Sequence, residues 1–418
     1  MSTTDHRFLE DFATMSGYGA TPGGGVDRQA GTPDDHATRA WFSQWLAEHG
    51  YTETVDAAGN QFGTMELVPG APYVLVGSHL DSQPLAGRYD GAYGVLAAAH
   101  AGGRVTAEAR AGTLQPTYNL AVVNWFNEEG SRFKPSMMGS GVFTGKLRLE
   151  DALATTDSAG TTVAQALAAG HAAPDGNAPV LAQVARYAEI HIEQGRNLEE
   201  SGTYVGIVDS TWAASKYRVT VDGAQSHTGA TRMEDRRDAL FGAALVIAAA
   251  RELAAEFEPG LLHTSVSELY VLPNSPVTIA RQVLMNLDLR SPDESVLGLA
   301  MERLAKRIVD AEADSRTDIS LDLTHNWGVV SYQPQGAALG RASADSLGYT
   351  HADVMTVAGH DSTNMKDVVP TVMLFVPSVE GISHNEAEYT HDDDALRGVE
   401  LLTEVTRRLV RGELEESQ

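Results

Sequence analysis

Three short apolar-rich runs stand out in the first half of the chain: residues 73–77 (YVLVG) and 120–126 (LAVVNWF), almost unbroken, and 188–192 (AEIHI), which Glu189 and His191 interrupt. Apolar residues without alternation over so short a length are expected of strands buried on both faces. Helical signals lie between them. Thr32-Pro33-Asp34-Asp35 supplies an N-cap hydroxyl, a proline at the first helical position and early acids, ahead of an apolar stripe at Ala37, Ala40, Trp41 and Leu46. That helix is predicted to end near His49-Gly50, and the small-residue run 91–104 predicts another. Strands alternating with helices predict an α/β layer around a parallel or mixed sheet, whose ligands collect at the carboxyl ends of the strands.

After Trp212 the pattern changes. Residues 216–222 (KYRVTVD) alternate, 239–257 are helical in period, 282–290 (QVLMNLDLR) again read as a strand, and Ser291-Pro292-Asp293-Glu294 reads as a capping box. This βαββα-like block predicts a separate α+β domain over 212–325. Beyond it, 370–376 (PTVMLFV) reads as a buried strand, and 393–411 carries Leu396, Val399, Leu402, Val405 and Leu409 at helical spacing. The chain is therefore expected to return to its first domain, composed of 1–211 and 326–418.

A length of 418 residues agrees with two domains. The 56 acidic residues outnumber the 30 basic ones, a net charge of −26, which disfavours nucleic acid or an anionic membrane as partner. Without cysteine, disulfides, thiolate metal sites and cysteine nucleophiles are excluded, so any metal must be held by His, Asp and Glu. The amino terminus lacks a basic region followed by an apolar one, and no run of about 18 apolar residues occurs, so the expectation is a cytoplasmic protein without membrane spans.

Candidate chemistry follows the apolar runs. His79 and Asp81 leave the first of them, and the Asp81 carboxylate is placed to accept the second ring N–H of a ligating imidazole; a plain strand-end histidine reads equally well. Asp90 precedes a predicted helix and could be no more than its N-cap. Glu128-Glu129 follows the second run, where paired carboxylates repel unless a cation or proton offsets them; a solvated acidic turn is the alternative. Alternation puts Glu189, His191 and Glu193 on one strand face. His384 follows the strand 370–376 after a short loop, and His360-Asp361 reads as a loop near the site. Together these are the inventory of a two-metal hydrolase.

In order along the chain, GSHLDSQPLAGRYDGAYGVLAA, NEEGSRF, HIEQG, SHTGATRMEDRRDAL, LDLRSP, GHDS and GISHNEAEYT resemble the hydantoinase/carbamoylase branch of the M20 metallopeptidase superfamily. That branch holds N-carbamoyl-L-amino-acid hydrolases, allantoate amidohydrolases and β-ureidopropionases. The resemblance implies a di-metal α/β catalytic domain with an inserted, smaller α+β dimerisation domain, and a homodimer. By its pattern His79, Asp90 and His191 hold one divalent metal and Asp90, Glu129 and His384 the second, with zinc, manganese, cobalt or nickel all suited to such donors. Glu128 matches the general base. His227 matches a histidine that reaches the partner subunit's site to stabilise an oxyanion, Arg290 an arginine that pairs with the substrate carboxylate, and Gln194 and Asn274 polar substrate-binding positions. The implied substrate is a small ureido or N-acyl amino acid, and the implied reaction is cleavage of a carbamoyl C–N bond. A deacylase or dipeptidase would use the same residues; a silent metal-binding scaffold would have no need of Glu128. Arg232 and Val277 stand where the branch commonly has proline and asparagine, and both departures bear on the substrate.

Overall fold

The computed structural model describes residues 3–170 and 176–414, so the acids at 415 and 416 lie outside the described residues. Its strands, in chain order, are β1 (Thr52–Val55), β2 (Gln61–Met65), β3 (Tyr73–His79), β4 (Asn119–Trp125), β5 (Val184–Ile192), β6 (Val205–Thr211), β7 (Ala213–Asp222), β8 (Ser226–His227), β9 (His263–Leu272), β10 (Thr278–Ile279), β11 (Gln282–Ser291), β12 (Asp318–Trp327), β13 (His351–Thr356) and β14 (Thr371–Val376). The chain divides into two compact units, one of residues 1–209, 332–354 and 358–418, the other of 210–331 and 355–357.

The larger unit carries an eight-stranded mixed sheet in the order β1-β2-β4-β3-β5-β14-β6-β13. Its centre, β4-β3-β5-β14, is parallel throughout. The apolar runs do not alternate because both faces of these strands are covered. Val74, Val76, Leu120, Val122 and Ile190 point into a core shared with the helices Ala92–Arg110 and Asp392–Arg411, whereas Leu75, Ala121, Val123 and Tyr187 point into a second core with Met365 and Val369. The helix Asp392–Arg411 has three aspartates in its first turn and Arg408 and Arg411 in its last, matching its dipole, and ends on Gly412 at φ 88°.

The smaller unit is an antiparallel sheet, β12-β7-β11-β9. Val219, Val221, Val283, Met285, Leu287 and Leu289 form its core with the helices Ala239–Leu253 and Glu294–Ser315. The alternation expected of 216–222 and 282–290 is thus one of a sheet with helices on a single face. The opposite face carries cross-strand rows, among them Trp327, Ala214, Arg290 and His263, and next to it His325, Lys216 and Asp288. Two expectations are corrected here. Strand β12 extends the βαββα-like block: Ile319 and Leu321 alternate onto its core, but the period lapses over Thr324-His325-Asn326, where the strand is exposed. The helix after β11 is capped by Asp293, which accepts from the Ser295 amide, while Ser291 instead accepts from the Asp293 amide, so no capping box forms.

Candidate metal centre

Because β3, β4, β5 and β14 run parallel, their carboxyl ends open on one edge of the sheet, and the candidate residues are delivered there. His79 is the last residue of β3, His191 the penultimate residue of β5, Glu128-Glu129 follows β4, and His384 follows β14. Asp90 lies in the loop between β3 and the helix Ala92–Arg110. It is not the cap of that helix: Gly91 holds the position at φ 64° and makes no side-chain bond. Only glycine fits, since a Cβ there would lie 2.2 Å from His79 Nε2. The turn carrying the two glutamates begins with Asn127 at φ 53°, whose amide group donates to the Phe133 and Pro135 carbonyls.

These residues converge on Asp90. His191 Nε2 lies 3.0 Å and His79 Nε2 3.6 Å from Asp90 Oδ1; His384 Nε2 lies 3.2 Å from Asp90 Oδ2 and 3.4 Å from Glu129 Oε2. Two donor groups result, His79-Asp90-His191 and Asp90-Glu129-His384, sharing the one carboxylate. Glu128 stands beside the first, its Oε2 3.6 Å from His79 Nε2. Both imidazoles of the first group turn their other nitrogen to a backbone carbonyl, His79 Nδ1 to Asp81 O at 3.0 Å and His191 Nδ1 to Ile192 O at 2.9 Å. With the ring proton on Nδ1, each Nε2 presents a lone pair beside a carboxylate oxygen; that of His191 also accepts from the Gly91 amide at 3.0 Å, whereas His79 Nε2 stands between Asp90 and Glu128, an arrangement that calls for a positive charge there. The donor chemistry, nitrogen and oxygen only, fits a divalent metal.

Asp81 departs from expectation. The carbonyl, not the carboxylate, is the hydrogen-bond partner of His79; the carboxylate accepts from the amides of Glu128 at 3.2 Å and Glu129 at 3.3 Å and so anchors the paired glutamates. Glu193 is also corrected. Strand β5 ends at Ile192, and Glu193 turns away to accept from the Asn197 and Leu198 amides at the start of the next helix. Glu189, still on the strand, is buried and satisfied by Ser78, Tyr187 and the Ser362 amide.

The charge balance of the cluster is acidic. Burial, then Asp361 and Glu129, pushes the Glu128 carboxyl well up; burial and Asp90 push Glu129 up to about 7. Burial lowers His79 to about 4. Burial is also the largest influence on His191 and His384 and works against their protonation, yet Asp90 with Glu189 at the first, and Asp90 with Glu129 and Glu388 at the second, together raise each to about 9. Sequence reading passed over Gln83, Ser383 and Glu388, which complete the site, and placed His360 only in a loop beside it. Gln83 donates to Glu129 through both its amide and its side chain. Ser383 and Glu388, in the same motif as His384, stand behind Asp90. His360 packs on His191 with ring centroids 4.5 Å apart, its Nε2 buried without a partner.

The histidine shifts yield a pH prediction. A base whose folded pKa is raised contributes stability that is complete below its unfolded value, near 6.5, and lost as pH climbs through about 9. Stability of metal-free protein is therefore expected to fall between pH 6.5 and 9. The opposing contribution of His79, lowered to about 4, is already complete below that window. Because a ligating imidazole must be neutral, metal binding at pH 7.5 is expected to release protons. Calorimetric titration in buffers of different ionisation heat measures the release; no buffer dependence would refute it.

Three of the remaining expected positions lie in the smaller unit. His227, on β8, is exposed; its Nδ1 accepts from the amides of Gly229 at 3.0 Å and Ala230 at 3.1 Å. Arg290 meets Asp288 through Nε and Nη2 and the Val357 carbonyl through Nη1. Asn274 is exposed at φ 52° between β9 and β10. Gln194, in the larger unit at φ 57°, donates to Asp90 and Ser383.

A parallel-centred α/β sheet that gathers two His/Asp/Glu donor groups around one shared carboxylate defines a metal-dependent hydrolase. The sequence pattern of peptidase family M20/M25/M40 matches residues 75–408, and the chain belongs to that family. It is 55% identical over 414 residues to a protein of Mycolicibacterium smegmatis named only as a hydrolase, covering 98% of this chain and 94% of that one. An N-carbamoyl-L-amino-acid amidohydrolase of Rhizobium meliloti is 33% identical, covering 95% and 94%. Among solved structures, an amidase of the hydantoinase/carbamoylase family from Burkholderia vietnamiensis superposes with a TM-score of 0.88 at 35% identity, covering 97% of each chain. The chain is therefore an enzyme of the amidohydrolase kind. Among the described residues, no helix is long and apolar enough to cross a membrane.

Proposed function

We propose that the enzyme hydrolyses the carbamoyl C–N bond of an N-carbamoyl amino acid or a related ureido acid. The observation that carries this reading is the pair of donor groups sharing Asp90, with Glu128 buried beside them and outside both. Likeness to a named carbamoyl amidohydrolase supports the bond type. Two divalent ions, zinc, manganese, cobalt or nickel, held by His79, Asp90, His191, Glu129 and His384 supply Lewis acidity toward the carbonyl oxygen and make water more acidic.

Glu128 takes the proton of the attacking water and delivers it to the departing amine. Its burial among carboxylates favours the protonated form it holds between those steps. His227 steadies the oxyanion. With two amides donating to Nδ1, its ring proton belongs on Nε2, so the exposed nitrogen is a hydrogen-bond donor; a donor aimed at an oxyanion contributes about 3 kcal/mol. Arg290 receives the substrate carboxylate. Asp288 occupies the Nε edge of its guanidinium and the Val357 carbonyl one Nη1 N–H, which leaves one N–H on each terminal nitrogen for a second carboxylate. Asn274 is assigned as a further polar contact, and Gln194, whose N–H groups go to Asp90 and Ser383, to the support of Asp90. The smaller unit is assigned to homodimerisation, with His227 serving the partner's site, and the enzyme to the cytoplasm.

A substrate panel on metal-loaded enzyme tests the proposal. N-carbamoyl amino acids, allantoate, 3-ureidopropionate and N-acetyl amino acids are assayed for both ammonia and free amine. Ammonia from at least one ureido substrate, at a kcat/KM at least about tenfold above that for the matched N-acetyl compound, is expected, because a tenfold preference corresponds to about 1.4 kcal/mol of differential binding. Free amine without ammonia would replace the proposal with the deacylase reading.

A further inference from the structure

Asp90 is approached from behind by three side chains. Gln194 Nε2 donates to its Oδ2 at 2.9 Å, and Ser383 Oγ lies 3.0 Å from the same oxygen. Glu388, 4% exposed, accepts the amides of Tyr89 at 2.9 Å and Asp90 at 3.0 Å on Oε1, and its Oε2 lies 3.0 Å from Ser383 Oγ. Gln194 also donates to Ser383 Oγ, at 3.1 Å.

The two oxygens of Asp90 are thereby divided. Oδ1 faces His79 and His191, while Oδ2, the oxygen shared with His384, takes the Gln194 and Ser383 bonds. From this geometry we infer that Glu388 is a positioning residue for Asp90: it clamps the backbone of the turn through two amides and, through Ser383, fixes Oδ2 for the donor group of Glu129 and His384. Gln194 belongs to the same relay. Its two N–H groups are committed to Asp90 and Ser383, and its Oε1 is buried without a partner. Ser383 has one O–H for two neighbouring carboxylates. A glutamine at 388 would keep an acceptor for the two amides and give Ser383 an N–H, leaving the serine proton for Asp90.

The inference rests on the two-metal reading, and the test separates the two. Metal-stripped full-length wild type, Glu388→Ala, Glu388→Gln, Ser383→Ala and His384→Ala are titrated with Mn²⁺ alone against a chromophoric chelator, and bound metal is counted after gel filtration. Wild type should bind two ions, and His384→Ala should identify the step belonging to the second donor group. In Glu388→Ala that same step should weaken by about 10- to 100-fold, the usual cost of losing a partner behind a ligand, with the other step within about threefold. Glu388→Gln should return to within about threefold of wild type. Ser383→Ala, a smaller change, should weaken the same step and carries the test if Glu388→Ala does not fold. Equal weakening of both steps, no weakening, or a glutamine variant as poor as the alanine one would overturn the relay. Fewer than two ions on wild type would overturn the metal-centre reading itself, and the relay with it.

Discussion

Glu128→Gln is expected to keep the fold and both bound metals while losing at least about 10³-fold in kcat, or about 4 kcal/mol of transition-state stabilisation. Glutamine matches glutamate in volume, and the residue is held by its backbone: the Glu128 amide donates to Asp81 and its carbonyl accepts from the Met137 amide at 2.6 Å. Neither bond involves the side chain. Glu128 also belongs to neither donor group, so ligand loss cannot explain a loss of rate. What the substitution removes is the only function a neutral amide lacks, accepting a proton from water and giving it up again. Steady-state kinetics with metal content determined on the same preparation measures this. A variant that turns over at more than a tenth of the wild-type rate with both ions present would show that the base lies elsewhere.

The parallel centre of the larger unit was legible in the chain because its strands are buried on both faces, so that β3, β4 and β14 read as apolar runs and β5 as an apolar stretch interrupted only by Arg186, Glu189 and His191. Edge strands left weaker traces. β9 and the first half of β12 alternate partly buried with exposed positions, whereas the short β1 and β13 follow no such period. The donors themselves were visible as residues directly after those runs, since the carboxyl edge of a parallel sheet is where a chain can turn a side chain inward without burying an unpaired backbone group. Their supports were not visible. Gln194, Ser383 and Glu388 reach Asp90 across 104, 293 and 298 residues, a convergence that no local pattern encodes. Glu193 and Asp81 show the limit of period and spacing. Both were placed by alternation or by distance along the chain, and in both cases the strand's end sent the carboxylate to backbone amides instead.

Asp90→Asn is expected to strip both metals, whereas His384→Ala should remove one. Asparagine keeps the volume of aspartate but has a single acceptor oxygen. If that oxygen faces His79 and His191, the amide nitrogen meets the N–H of Gln194 and the hydroxyl of Ser383; if it is flipped, the nitrogen points at the two imidazoles and the first ion. Either orientation spoils one donor group sterically and electrostatically, and loss of the negative charge weakens both, because Asp90 is the one carboxylate common to them. His384 is different. It stands on a left-handed turn at φ 54° with its side chain 47% exposed, and its Nε2 approaches Asp90 Oδ2 and Glu129 Oε2. Its removal leaves His79, Asp90 and His191 complete. Metal counting after dialysis against a limiting chelator should give close to zero ions in the aspartate variant and about one in the histidine variant, a difference of at least tenfold in affinity for the retained ion. One tightly held ion in Asp90→Asn would mean that the two groups do not share the carboxylate, and the bridged centre would have to be abandoned for two independent sites.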